Sequence, residues 1–276
     1  MRIDILTIFP NFFTGPLDHG ILSRAIRNGN LQVLTHDLRS FTTDRHRTVD
    51  DRPFGGGEGM VLKPEPIGKA IATLGLSPRP ERETARESVI LLSPQGRTFN
   101  QRLARELASL DRIVMICGRY EGVDERINTI FCDREVSIGD YVLSGGELAA
   151  AVLIDALVRL IPGVLGNADS AHNESFTRHQ PPPAHPDPDG PPVSTFASQG
   201  LLDYPHYTRP SDYNGHLVPE ALHGGDHAAV RRWRRQMSLK KTFENRPDLL
   251  QSVSLDRDDK AFLATLGWPP STTIPH

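Results

Sequence analysis

The sequence predicts an α/β fold, a mostly parallel sheet flanked by helices, followed by a smaller, mainly helical C-terminal domain. Two observations carry this. Through the first half, short β-branched apolar runs alternate with longer segments of helical periodicity, the pattern that builds βαβ units. From residue 163 the composition changes abruptly, and beyond a proline-rich stretch only turns and helical patterns recur.

Residues 2–9, 31–36, 88–92 and 112–117 read as strands, and 17–28, 64–74 and 99–110 as helices. A further strand ends at Ser137 in turn formers, and the chain then opens into an apolar helix over 148–161, stopped by Pro162-Gly163. That helix is apolar nearly all round and must be buried, a partner chain being one way to do it. Asp155 and Arg159 share one of its faces at i,i+4 spacing, as an ion pair or as a catalytic guanidinium. The run Gln180-Pro-Pro-Pro-Ala-His-Pro-Asp-Pro-Asp-Gly-Pro-Pro192 cannot sustain a helix or a central strand and reads as a polyproline-like linker, with a docking motif as the alternative. Residues 200–214 are turn-rich, and helices are expected over 226–236 and 257–266. The division is therefore a domain over 1–163, a linker over 164–199 and a second domain over 200–276.

A chain of 276 residues can bury a substantial core. It contains no run of about 18 apolar residues and no signal-peptide pattern, so a cytoplasmic protein with no membrane partner is expected. Cys117 and Cys132 are the only cysteines and form no CxxC pair, which argues against a disulfide framework or thiolate metal site and for two buried small hydrophobes. A net charge of −3 excludes a general basic coat for nucleic acid. Positive charge is instead concentrated in 39–52, with Arg45-His-Arg47, and in Arg231-Arg-Trp-Arg-Arg235 followed by Lys240-Lys241.

Three loops follow strands and contain glycine: Ser93-Pro-Gln-Gly-Arg97, Cys117-Gly-Arg-Tyr-Glu-Gly122 and Ser137-Ile-Gly-Asp-Tyr-Val-Leu-Ser-Gly-Gly-Glu147. In a parallel sheet they meet at the carboxyl edge, where ligands bind, and glycine lets main-chain groups approach a small molecule. Neither G-x-G-x-x-G nor G-x-x-x-x-G-K-[ST] occurs, which disfavours a dinucleotide fold and a nucleotide triphosphatase.

With these loops, Ile8-Phe-Pro10, the run from Asp44-Arg-His-Arg through Gly-Gly-Gly-Glu-Gly-Met60, Ile161-Pro-Gly-Val-Leu-Gly166 and His206-Tyr-Thr-Arg-Pro210, the chain resembles the bacterial tRNA (guanine-N1)-methyltransferases, the TrmD family. The resemblance spans nearly everything except the proline-rich insert. It implies a SPOUT-type sheet tied in a trefoil knot, an obligate homodimer with sites at the subunit interface, and S-adenosylmethionine as methyl donor. It implies tRNA as partner and no DNA. Carried over by motif, the donor would be held by Ser93, Pro94, Gly118, Tyr120, Glu121, Ile138, Gly139, Asp140, Tyr141, Val142, Leu143, Gly145 and Gly146. Magnesium belongs to the family's requirements, yet no carboxylate cage is visible in the sequence.

The implied reaction methylates N1 of the guanosine just 3′ of the anticodon. A base must take the N1 proton, and a cation must meet the charge that develops on O6. Arg159 stands at the family's arginine position. Glu174 falls where well-known members carry the basic aspartate, with Asp169 as the reserve. For tRNA, the resemblance and the charge pattern together point to Arg45, His46, Arg47, Asp50, Arg52, Gly55, Gly56, Gly57 and Arg119, and to Arg232 and Arg235 in the second domain. A ribose 2′-O-methyltransferase and a tRNA-binding protein without catalysis are the alternatives.

Overall fold

The computed structural model describes residues 1–166, 174–176 and 200–269, and the chain divides into two compact units, Met1–Gly166 and Asn167–His276. In the first unit β1 (Arg2–Thr7) leads through a 3-10 turn and a short α1 (Thr14–Leu17) into α2 (Gly20–Arg27) and β2 (Gln32–Asp37). A small hairpin of β3 (Asp50–Asp51) and β4 (Val61–Leu62) precedes α3 (Pro64–Thr73), β5 (Glu87–Thr98) and α4 (Gln101–Ala108). Then come β6 (Arg112–Cys117), α5 (Glu125–Phe131), β7 (Arg134–Ser137) and α6 (Glu147–Val158).

The five long strands form a sheet in the order β2-β1-β6-β5-β7, parallel throughout. Strict alternation makes it a middle layer. Ile3, Ile5, Ile90, Leu92, Ile113 and Met115 face one way and pack with Leu103 and Leu107 of α4 and Leu153, Ile154 and Leu157 of α6. Leu6, Val89, Leu91, Val114 and Ile116 face the other way, against Ile67 and Ile71 of α3 and Ile127 of α5. Each such side chain, fully buried, contributes roughly 1.5–3 kcal/mol.

Near the amino ends of the strands a buried carboxylate ties three of them. Asp4 of β1 accepts from Arg2 Nε at 2.9 Å and Arg112 Nε at 2.9 Å, and His36 Nε2 lies 2.8 Å away. Burial alone would raise the Asp4 pKa, but the bonds to His36, Arg2 and Arg112 outweigh it and hold the carboxyl well below its ordinary range.

Three segments depart from the sequence reading. The helix expected over 17–28 is broken, with α2 beginning at Gly20, whose φ of 61° no continuous right-handed helix permits. The loop expected over 93–97 lies inside β5, as an irregularity where Leu92 and Arg97 both pair with Val136. Gly96 makes this fit, since a Cβ there would stand 2.4 Å from the Val136 nitrogen. Third, the helix expected to stop near 236 continues.

That helix is α7 (His227–Asn245) in the second unit, N-capped by Asp226, which accepts from Ala228 N and Ala229 N. No glycine or proline interrupts 227–245. It packs on α8 (Arg257–Thr265), which starts in an Asp256/Asp259 capping box. Leu201, Leu239, Leu250 and Leu263 form this unit's core, and β8 (Asp212–Tyr213) and β9 (His216–Leu217) form an exposed hairpin.

Candidate active site

The carboxyl ends of β5, β6 and β7 open into a cavity of about 390 Å³, within the range of small-molecule sites. Ser93 and Pro94 enter from the β5 irregularity, Gly118, Tyr120 and Glu121 from the loop after β6, and Ile138, Gly139, Tyr141, Val142, Leu143, Gly145 and Gly146 from the loop after β7. Of the residues expected to hold a methyl donor, only Asp140 is outside the lining; its side chain is exposed.

Main-chain bonds fix these loops to one another. Gly146 N donates to Gly118 O at 2.9 Å, and Arg119 and Gly145 form an antiparallel bridge. The approach is so close that a Cβ on Gly146 would stand 2.7 Å from the Cys117 Cα. Tyr120 adopts φ 58°, a left-handed backbone that costs a non-glycine residue roughly 1–2 kcal/mol. Tyr141 folds back over its own loop, its hydroxyl donating to Ile138 O at 3.1 Å.

Beneath the cavity lies an ionic knot of side chains that sequence reasoning missed. Glu147, the first residue of α6, is 1% exposed. It accepts from Thr7 Oγ1 at 2.7 Å and Arg119 Nε at 3.0 Å, with Arg119 Nη2 at 2.9 Å. Arg119 also donates to Ser144 O at 3.1 Å and stacks 4.5 Å above the Phe9 ring. Arg119, expected to meet tRNA, is therefore engaged with the cavity's own frame. The Gly-Gly-Glu start of an apolar helix was the available signal, because an acidic first-turn residue favours the helix N-terminus. Cys117, beside this group, is fully buried, and burial first and Glu147 second push its thiol pKa well up.

The basic, glycine-rich run lies on and around the β3–β4 hairpin. Arg45, His46, Arg47 and Arg52 are exposed, while Asp50 is half-buried on β3. Asp44 secures the turn by accepting from Thr48 N and Thr48 Oγ1. Gly55, Gly56 and Gly57 adopt φ of 85°, 77° and 126°. The hairpin's return strand is joined to the cavity wall by three main-chain bonds, each 3.0 Å: Glu121 N to Met60 O, Leu62 N to Gly122 O and Asp124 N to Leu62 O.

Comparison with known proteins decides the family. The sequence model described as "tRNA (Guanine-1)-methyltransferase TrmD" matches residues 1–252. The chain belongs to the TrmD family. A relative from Koribacter versatilis, named tRNA (guanine-N(1)-)-methyltransferase, is 58% identical over 266 residues, 96% of this chain and 98% of the relative. Proteins of the same name from Heliobacterium modesticaldum and Pseudomonas savastanoi are 49% and 48% identical, over 96% of this chain and 90% and 95% of their own lengths.

The remaining candidates of this TrmD-family chain fall in both units. Arg159 is half-buried at the C-cap of α6. Asp155 is exposed on the same helix. Glu174 is half-buried in a short segment held to its own unit, where Ser175 Oγ accepts from Asp203 N at 2.9 Å and Phe176 N donates to Leu201 O at 3.0 Å. Asp169 lies outside the described residues, as does the proline-rich run. On α7, Arg232 is exposed, but Arg235 is committed to the buried Asp259 through two bonds of 2.9 and 2.6 Å. Among the described residues no three His, Cys, Asp or Glu side chains converge as metal ligands. Nor, among them, is any helix long and apolar enough to cross a membrane.

Proposed function

We propose that the protein is a cytoplasmic tRNA (guanine-N1)-methyltransferase that moves a methyl group from S-adenosylmethionine to N1 of the guanosine just 3′ of the anticodon. The observation that carries this, in a chain of this family, is the glycine-built cavity at the carboxyl edge of a parallel sheet, joined by main-chain bonds to an arginine-bearing loop.

The cavity suits the donor because five glycines, Gly118, Gly122, Gly139, Gly145 and Gly146, let main-chain groups approach an adenine and an amino-acid tail, while Ile138, Val142 and Leu143 offer apolar surface. When bound, the donor supplies an electrophilic methyl on a sulfonium. The chain's residues supply the rest. Neutral guanine N1 carries a proton and is a poor nucleophile, so a carboxylate takes that proton; Glu174 is assigned the role, with Asp169 in reserve. Arg159 meets the charge that grows on O6, a contribution of several kcal/mol in a water-poor site. Arg45, Arg47 and Arg52 hold phosphates, and α7 adds Arg231 and Arg232 for the anticodon stem.

The same reading includes a trefoil knot and a homodimer. The dimer has a specific support: α6 keeps Leu148 and Val152, one turn apart, 51% and 47% exposed, although Ala149, Ala150, Leu153, Ile154, Leu157 and Val158 of the same helix are buried.

The deciding experiment is single-turnover methyl transfer by wild type, Glu174→Gln and Asp169→Asn across pH, with mass spectrometry of the digested tRNA. Methyl on guanine N1, lost in Glu174→Gln, is expected. Methyl on ribose, or unlabelled tRNA, sinks the proposed reaction, and normal rates in Glu174→Gln with loss in Asp169→Asn move the base to Asp169.

A further inference from the structure

We infer that Phe54 is a stacking wedge: its ring packs against the base next to the target guanine and holds the strand open while that guanine occupies the active site. This rests on the proposed reaction and adds to it a positioning residue.

Phe54 is 99% exposed, whereas the other exposed aromatic side chains among the described residues range from 42% to 68%. A fully exposed phenylalanine makes no packing contribution to its own fold and forgoes the stabilisation that burial would supply. A single exposed apolar residue is ordinary in itself; here the surroundings give it meaning. Pro53 precedes it and three glycines of positive φ follow it, so the tip of the loop displays one side chain and is otherwise bare backbone. Cβ atoms built on Gly55 and Gly56 would meet nothing within 4 Å, which leaves open space beside the ring for a flat group.

The loop's root is fixed to the chemistry. A Cβ on Gly59 would lie 2.5 Å from Glu121 Oε1, and Met60 bonds the same residue's nitrogen. Phe54 lies five positions before Gly59, so its Cα stays within about 17 Å of the Gly59 Cα even at full extension. Exposed Arg45, Arg47 and Arg52 surround the hairpin with charge suited to phosphates. N1 lies on the pairing edge of guanine, and a base is handed to a closed pocket only by leaving its stack. An aromatic face replaces the lost stacking partner for any neighbouring base, without reading its sequence.

The test compares wild type, Phe54→Ala, Phe54→Leu and Phe54→Trp in single-turnover methyl transfer on two RNAs. One is the unmodified tRNA; the other lacks the bases on both sides of the target guanosine, so no stack remains to be opened. On intact tRNA, the Ala and Leu variants are expected to slow about tenfold and the Trp variant to stay within about twofold of wild type. On the abasic tRNA all four should agree within about twofold, with melting temperature and donor affinity unchanged. A Phe54→Ala rate equal to wild type on intact tRNA, or an equal slowing on both RNAs, overturns the wedge while leaving the reaction standing. Wild type that modifies neither RNA at guanine N1 overturns the reaction and this role together.

Discussion

The proposed donor cavity and the surfaces proposed to face RNA are built from opposite materials. Around the cavity the frame is close main chain: glycines at contact distance, a slipped ladder and loops bonded to each other, with the buried Glu147 paired to Arg119 beside them. The hairpin loop and α7 instead offer exposed side chains on a backbone that would keep its course without them. A small, invariant molecule can be met by a rigid mould, because every substrate molecule presents the same atoms. A large polyanion is met by charges that act at some distance and by a ring that accepts any base. Substitutions in the two regions should therefore fail differently, in stability and donor binding on one side and in RNA affinity on the other.

The largest effect is expected under the cavity. Glu147→Ala leaves Arg119 without its buried partner and should lower unfolding free energy by about 3–5 kcal/mol in urea denaturation. Gly146→Val should weaken donor binding more than about a hundredfold by calorimetry, because the added carbons meet backbone that cannot yield. If its donor affinity stays within about threefold of wild type, the picture of a main-chain mould is wrong. Two neighbouring arginines of α7 then separate the two kinds of failure within one helix. Arg235→Ala should destabilise the second unit by about 2–3 kcal/mol, since it strands the buried Asp259. Arg232→Ala should leave melting unchanged but weaken tRNA several-fold and reduce the salt dependence of binding by roughly one ion.

The smallest expected effect concerns pH. Because the folded Asp4 pKa lies below its ordinary value of 3.8, its contribution is complete above that value and is lost as pH falls. Wild type should lose about 1 kcal/mol more than Asp4→Asn between pH 5 and pH 3, the extent of unfolded-state protonation over that window. Identical acid limbs would remove Asp4 from the groups that make the sheet acid-sensitive.

Legibility in the sequence followed the same divide. Alternating apolar runs announced β1, β2, β6 and the start of β5, and the three glycine loops were recognisable because their unusual residues are contiguous. The continuation of β5 was hidden, since Pro94 and Gly96 read locally as a turn and only the partner strand β7 makes them part of a ladder. Arg119 and Arg235 looked like free cations because the carboxylates that engage them are 28 and 24 residues away in sequence. Phe54 was invisible for a different reason: one aromatic in a loop has no periodicity, and its exposure is a property of the folded backbone alone.

The burial of both cysteines has a practical corollary. Cys117 lies under the donor wall, Cys132 follows α5, and burial has raised the thiol pKa of each, to about 12 for Cys132. Since the sequence holds no other cysteine, the second unit is silent to thiol reagents. Alkylation in native buffer thus clocks the opening of the first unit alone, and a donor analogue that slows the clock reports its own binding without any label on the protein or the RNA.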